Sequence, residues 1–517
     1  MTAPAAGPPL DRRQLQARAV DGALWTMVHV AVSLPLAFLA NLVIARVLGV
    51  VDYGRLSFLT ALMDIASGVV GLGVGTALVQ YGARAHAAGR RAQVRDLLAK
   101  TQGFRLLVAA PLLAVLVVLV ADVDPVLLVL AVVFGLVVPA GLSGAPAALT
   151  IESKTASGAR VAMLGNVLTL GAALTAVLAL RSPDATWAAR LVMGGVVTAI
   201  ALVPVSRDYR LVALRPRLPR GLPAGFWRFA VPAGLSGIVA NLVTSRSEIF
   251  LLQWLADPVA VGTFALAFGL SSHLFSPAQA LIGPLIPAVS GLTEVDGAAL
   301  GAAFSRTLRV SSTVVALLLA GALPALAALV PLLYGADYSD VPGLLVALGV
   351  AGGLMIVAAP VQAFVLARLR GGRLLTINLA ALGVDLAVAV ALIPGLGVWG
   401  AVAANVVGAA TRLALLVRGE IGLLGLTGRQ VARCAAPALA GAAVCVAVSL
   451  AGSAGPLPAV GTAAATGTLG VVLLLLVLRA SRTGLEPGDA AAVVGAVPLR
   501  VRGVASRAIR LLVRHGR

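Results

Sequence analysis

The chain has 517 residues, of which 60% are hydrophobic and 11% charged, and its mean hydropathy is +1.02. Those proportions exclude a water-soluble globule and describe a polypeptide whose solvent is the bilayer. A formal charge of +19 would suit nucleic acid in a soluble chain, but here the basic residues flank apolar stretches, where anionic inner-leaflet lipid meets them, so no nucleic-acid partner is expected.

At about 20 residues per crossing, fourteen spans are predicted, near 22–48, 56–80, 104–121, 125–148, 161–180, 187–205, 229–254, 259–286, 308–332, 342–366, 374–393, 397–417, 432–452 and 459–478. The first is longer than a secretory-signal core and has no small-residue cleavage site after it, so it is expected to stay attached. All but five of the 39 Lys and Arg residues fall in every second gap or in the span ends that border it. Arg55, Arg181 and Arg190 are assigned to exterior loops, and Arg46 and Arg246 to spans. An excess of basic residues marks the cytoplasmic side, which puts both termini inside the cell at a bacterial inner membrane. Trp25 and Trp227 fall at inner span ends, and Trp187, Trp254 and Trp399 at outer ends, where indole rings serve as interface anchors.

Residues 206–228, with Pro216, Pro219 and Pro223 among six arginines, read as a basic cytoplasmic linker between two bundles. The expected organisation is an N-terminal lobe at 1–205, a C-terminal lobe at 229–420, two further helices within 421–480 and a basic cytoplasmic tail at 481–517. The fold class is therefore an all-α polytopic membrane protein of 14 transmembrane helices, two pseudo-symmetric six-helix lobes plus two C-terminal helices. Leu48–Gly54 after the first span and Leu255–Gly262 after the seventh are faintly similar short turns, as an internal duplication leaves. The Gly71-Leu-Gly-Val-Gly75 run sits inside a span and reads as close helix packing rather than a dinucleotide fingerprint. Cys434 and Cys445 share one predicted helix, about 16 Å apart along its axis, too far for a disulfide. From Pro498 onward, arginines at near-helical spacing opposite Val501, Ala505, Ile509 and Leu512 predict a basic amphipathic helix on the inner leaflet, with a disordered basic tail as the alternative.

Enzymatic chemistry has little to work with. Gly144–Thr155 ends in Lys-Thr but lacks the glycine a phosphate-cradling loop needs before its lysine. The four histidines are scattered, no Cys–His group has ligand spacing, and no cofactor or metal is expected. The exterior loops, about ten residues at most, offer no room for a catalytic apparatus. Transport is what remains, and the informative residues are charges inside spans, each costing about 2.5–3.5 kcal/mol to insert unless it faces a cavity or a partner. Five are counted: Arg46, Asp64, Arg246, Glu248 and Asp385. Arg46 is near an outer span end, within snorkelling reach of headgroups, whereas Arg246 is deeper. Glu248 follows Arg246 by about 200° around the helix, so the two cannot pair on one face and at least one needs a partner on another helix. Asp64 and Asp385 are central in their spans, either as proton-accepting groups or as hydrogen-bonded packing groups.

Four segments resemble the bacterial polysaccharide flippase family, within the multidrug/oligosaccharidyl-lipid/polysaccharide exporter superfamily. They are Ile44–Gly54, Gly71–Gly75, Arg246-Ser-Glu248 with the downstream Val261-Gly262, and Leu333–Tyr338 followed by Arg368–Arg373. Glu248 stands where many relatives have Asp, and Val261 where an aromatic residue is common. The resemblance implies alternating access that carries an undecaprenyl-diphosphate-linked oligosaccharide from the inner to the outer leaflet for surface polysaccharide biosynthesis. The implied partners are the polyprenyl-diphosphate-linked glycan, the lipid bilayer, and a polysaccharide polymerase or glycosyltransferases. Arg46 and Arg246 are then the substrate-binding candidates, since a guanidinium forks onto a diphosphate, and Asp64, Glu248 and Asp385 the ion-coupling or cavity candidates. A drug/cation antiporter of the same superfamily, which should favour cavity carboxylates over two arginines, and a lipid II flippase are the alternatives.

Overall fold

The computed structural model describes residues 12–120, 123–213, 215–242, 247–280, 289, 299–368, 371–453, 457–496 and 499–513. Among them the secondary structure is helical, apart from one isolated parallel bridge between Leu485 and Val513. Among the described residues eleven helices are long and apolar enough to cross a membrane. Their outward faces carry large apolar side chains, such as Leu112, Leu119 and Leu450, each more than two-thirds exposed. That pattern suits contact with lipid chains rather than water, and the protein is a multi-pass membrane protein.

The chain divides into two compact units, Met1–Asn241 and Leu242–Arg517. In the first, Arg12–Gly71 runs without interruption except at Gly49, whose φ of 74° and ψ of 176° no residue with a Cβ adopts readily. The apolar part, Leu24–Gly71, has 48 residues and as a straight helix would be about 72 Å long, over twice the ~30 Å hydrocarbon thickness. The predicted exterior turn at Leu48–Gly54 is thus compressed into one glycine. A second break comes earlier than the predicted end of span two, at Leu72 and Gly73 (φ 33° and 68°), and Val74–Ala87 follows as a separate helix. A Cβ on Gly73 would lie 2.0 Å from the Ala230 carbonyl oxygen and 2.6 Å from Gly234 N. The glycine run is therefore a backbone-to-backbone crossing with Phe226–Asn241, as close packing requires.

Pro183–Ile200 starts with strong helix signals. Ser182 Oγ accepts from Ala185 N, Pro183 occupies the first turn and Asp184 lies at the positive end of the dipole. Two expectations fail on this helix. Trp187 is fully buried rather than an interface anchor, because it lies one turn into a helix packed against Arg12–Gly71. Arg190 lies within the helix, half-buried, and not in an exterior loop. Trp254 and Trp399 are 63% and 49% exposed, as anchors should be. The 206–228 segment is packed on its own unit: Arg217 N donates to Ala99 O at 2.9 Å, and Tyr209, fully buried, bonds the His86 ring at 2.8 Å.

In the second unit, Gly428–Ser453 and Ala459–Ala480 pack on Leu300–Leu317 and the π-helical turn that follows it. The contacts run through small residues. A Cβ on Gly441 would lie 2.5 Å from Ala316 Cα, and one on Gly470 1.7 Å from Ala320 O. Around them Val444, Val448, Leu474 and Leu478 form a buried cluster. Cys434 and Cys445 are buried free thiols of Gly428–Ser453. The tail forms Pro487–Ala496 and Leu499–Leu512.

Candidate functional site

The polar interior of the second unit is built on a helix pair, Gly371–Leu396 and Val398–Ile421, which reverses at Gly397 (φ 54°). A Cβ on Gly400 would lie 2.6 Å from Ile393 N, and one on Gly408 would press on Asp385 at 3.1–3.5 Å. Gly400 and Gly408 lie on one face, about two turns apart, so the helices approach closely and Asp385 is brought against its neighbour's backbone. Ser247–Leu255 packs on both members of the pair, delivering Ser247 and Glu248.

Four side chains meet there. Ser247 Oγ lies 2.8 Å from Leu242 O, 3.0 Å from Glu248 Oε2 and 2.9 Å from Asp385 Oδ2. Asn405 Nδ2 donates to Glu248 Oε1 at 2.5 Å. Both carboxyl residues are 0% exposed, and Asp385 Oδ1 is buried without a hydrogen-bond partner among the described residues. A hydroxyl has a single hydrogen to donate, so Ser247 satisfies at most one of the three oxygens around it. The remaining carboxyl contact needs a proton held by a carboxyl group, or a cation shared between oxygens. No arginine or lysine neutralises Glu248 or Asp385 among the described ion pairs, and the partners of Glu248 on the facing helices are Asn405 and, through Ser247, Asp385. Uncompensated ionised carboxyls at this depth would be costly, which makes the pair a natural acceptor for one positive charge.

Two turns along the same helices the interior changes sign. Arg412 is buried, and its partners are neutral: Nε donates to Asn378 Oδ1 at 3.0 Å, Nη2 to Gln362 Oε1 at 2.6 Å, and Nη1 points at Met355 Sδ at 3.3 Å. Farther along, Arg368 pairs with the fully buried Glu420 at 2.8 Å. Sequence reasoning counted Arg412, near the inner end of the predicted span 397–417, with the cytoplasmic basic residues and did not single it out as a charge inside a span. The signal that could have found it is phase, since Asn405 and Arg412 on one helix, and Asp385 and Asn378 on the other, are each seven residues apart and share a face.

In the first unit, Asp64 lies on an exposed position of Arg12–Gly71, and the charge it meets is Arg190 of Pro183–Ile200, which also faces Tyr53. Tyr53 in turn donates to Asn41 Oδ1 at 2.8 Å. Nearby, Arg55 forks onto Asp184 at 2.8 and 3.1 Å. Arg46 is exposed on the same long helix, and Arg246 lies outside the described residues. The sequence-predicted residues thus separate. Glu248 and Asp385 come together, and Asp64 meets an arginine that sequence reasoning had left outside the membrane. Among the described residues no group of acidic, histidine and cysteine side chains has the composition of a metal-ligand cluster.

Comparison with known proteins gives these features a family. The sequence profile described as polysaccharide biosynthesis protein matches residues 19–292, more than half of the chain. The chain belongs to that family. None of the curated proteins compared matches it. Among solved structures, an inward-facing multidrug resistance MATE family transporter of the MOP superfamily is similar at 17% identity with a TM-score of 0.57, covering 78% of this chain and 99% of that one. A eukaryotic MATE transporter is similar at 15% identity and a TM-score of 0.53, covering 82% and 99%. A MOP superfamily transporter from Pyrococcus furiosus, described as having a binding pocket of reversed polarity, is similar at 17% and 0.50, covering 81% and 100%. These likenesses establish the fold, and the proteins that share it are transporters rather than enzymes.

Proposed function

We propose that this protein is a flippase that moves a polyprenyl-diphosphate-linked oligosaccharide from the inner to the outer leaflet of the bacterial cytoplasmic membrane. The observation that carries the reading is membership of the polysaccharide biosynthesis family by a chain whose fold is that of MOP transporters. In this reading there are fourteen crossings. The eleven long helices become twelve when Leu24–Gly71 is divided at Gly49, and Pro183–Ile200 and the 226–255 segment supply two more. They group as lobes at 1–205 and 229–420 joined by 206–228, with two helices in 421–480, and both termini are cytoplasmic.

The diphosphate head needs a cationic route while its polyprenyl tail stays in lipid, and Arg46 and Arg246 are the groups proposed to meet it. Movement against a gradient needs a second ion, and the Glu248–Asp385 pair is proposed to hold it, with Asp64 and Arg190 as a charge pair of the first lobe. A glycan polymerase or glycosyltransferases would work beside it. The decisive experiment reconstitutes the protein in vesicles with a defined lipid-linked oligosaccharide and measures its leaflet exchange. Failure to move such a lipid in active preparations refutes the reading.

A second reading, a drug/cation antiporter, draws support from the fold shared with multidrug transporters and from the acidic pair. A deletion strain separates the two, since loss of surface glycan without drug sensitivity favours the flippase and the reverse favours the antiporter.

A further inference from the structure

On the second unit, away from the Glu248–Asp385 pair, a cavity of about 680 Å³ lies where three spans end together. Its walls come from the first turns of Leu300–Leu317 (Arg306, Arg309), the first turns of Gly428–Ser453 (Arg433, Cys434) and the turn after Ala459–Ala480, where Arg482 precedes Glu486 and Asp489. Four arginines thus face two carboxylates, and the carboxylates are already spent. Asp489, 2% exposed at its side chain, accepts from Arg309 Nε at 2.6 Å, Arg306 Nε at 3.2 Å and Glu486 N at 3.0 Å. Glu486 pairs with Arg309 at 3.0 Å. Arg433 and Arg482 are exposed at the cavity and form no ion pair among the described residues.

The place of this surplus charge identifies its ligand. The candidate spans Leu300–Tyr334 and Gly428–Gly452 carry Arg306, Arg309, Arg433 and Cys434 in their first turns, and Ala459–Ala480 ends just before Arg482, so the cavity sits at headgroup depth on the arginine-rich side of the membrane. Its outer wall is tied to the amphipathic tail: Leu485 N donates to Leu512 O at 3.0 Å, and Leu485 bridges Val513. Leu512 in turn packs on the apolar cluster of the same three spans. Leu499–Leu512 itself carries Arg502, Arg507 and Arg510, so the element tied to the cavity wall is also cationic.

The geometry points to a binding site for the phosphodiester headgroup of an anionic phospholipid, held by Arg433 and Arg482, with Arg306 and Arg309 fixed in the wall by Asp489 and Glu486. Guanidinium groups fork onto phosphate oxygens, and a lipid's acyl chains can remain in the bilayer beside the three spans. The occupant would brace the tail against the membrane domain.

The test uses the full chain in neutral detergent, with phosphatidylglycerol as the probe and retained lipid and thermal unfolding as readouts. Phosphatidylglycerol raises the melting temperature, and phosphatidylcholine does not. Arg433→Gln with Arg482→Gln weakens phosphatidylglycerol retention about tenfold or more, while Arg418→Gln, at an exposed arginine of another span end, leaves it unchanged. Both substituted residues are exposed, so the double variant folds, and its melting temperature without lipid equals that of the parent. Equal retention by the double variant overturns the site. Saturation by inorganic phosphate, with loss of lipid competition, overturns the lipid assignment in favour of a soluble phosphate compound.

Discussion

The acidic pair of the second unit yields the sharpest prediction. Glu248 Oε2 and Asp385 Oδ2 both lie within 3.0 Å of one hydroxyl oxygen, so they are separated by no more than about 6 Å. Two full negative charges at that separation repel by about 3 kcal/mol at an effective dielectric constant near 20. One positive ion or proton relieves that repulsion, which corresponds to roughly a hundredfold in its affinity. Glu248→Gln keeps the shape and the Asn405 contact but removes one charge. In vesicles carrying a fluorescent lipid-linked oligosaccharide, the variant should exchange lipid at the rate the parent shows without an ion gradient. The ion concentration for half-maximal stimulation should rise about a hundredfold or stimulation vanish, while Glu248→Asp, which restores the charge, retains stimulation by the gradient. If Glu248→Gln responds to proton and sodium gradients as the parent does, the pair is only a packing contact and the electrostatic argument fails.

Other predictions address packing, the tail and topology. Gly73→Ala places a methyl against the Ala230 carbonyl at a left-handed φ and should destabilise the first unit by about 2–4 kcal/mol, read as a lower melting temperature and poor membrane yield. Burial pushes the Asp489 carboxyl up, but the bonds from Arg309, Glu486 N and Arg306 prevail and hold it below the usual carboxylate range. Its contribution to tail docking is therefore complete above about pH 4 and is lost as the pH falls through the lowered value. Proteolysis of the tail should rise in that acidic window, and Asp489→Asn should be cleaved equally at all pH values. Arg246→Ala should reduce glycan export while the protein still reaches the membrane; unchanged export removes Arg246 from the cationic route. Reporter fusions after Arg91 and Arg217 should both report cytoplasm, and a periplasmic signal from either overturns the proposed span order.

Sequence alone determined the solvent and the broad architecture, because hydrocarbon admits only helices that satisfy their own backbone, and an apolar run of sufficient length is legible without tertiary information. It also singled out Glu248 and Asp385, since the cost of a charge in a span depends on depth along the chain. Tertiary structure decided what those charges face. That Glu248 meets another acid and an asparagine follows from Gly400 and Gly408 letting two helices close on Asp385. That Arg190 and Arg412 are interior groups follows from which helix face is covered, and Trp187 became a core residue for the same reason. Linear distance from a span end measures depth in the membrane, but burial is set by neighbours from distant parts of the chain, and only packing brings those together.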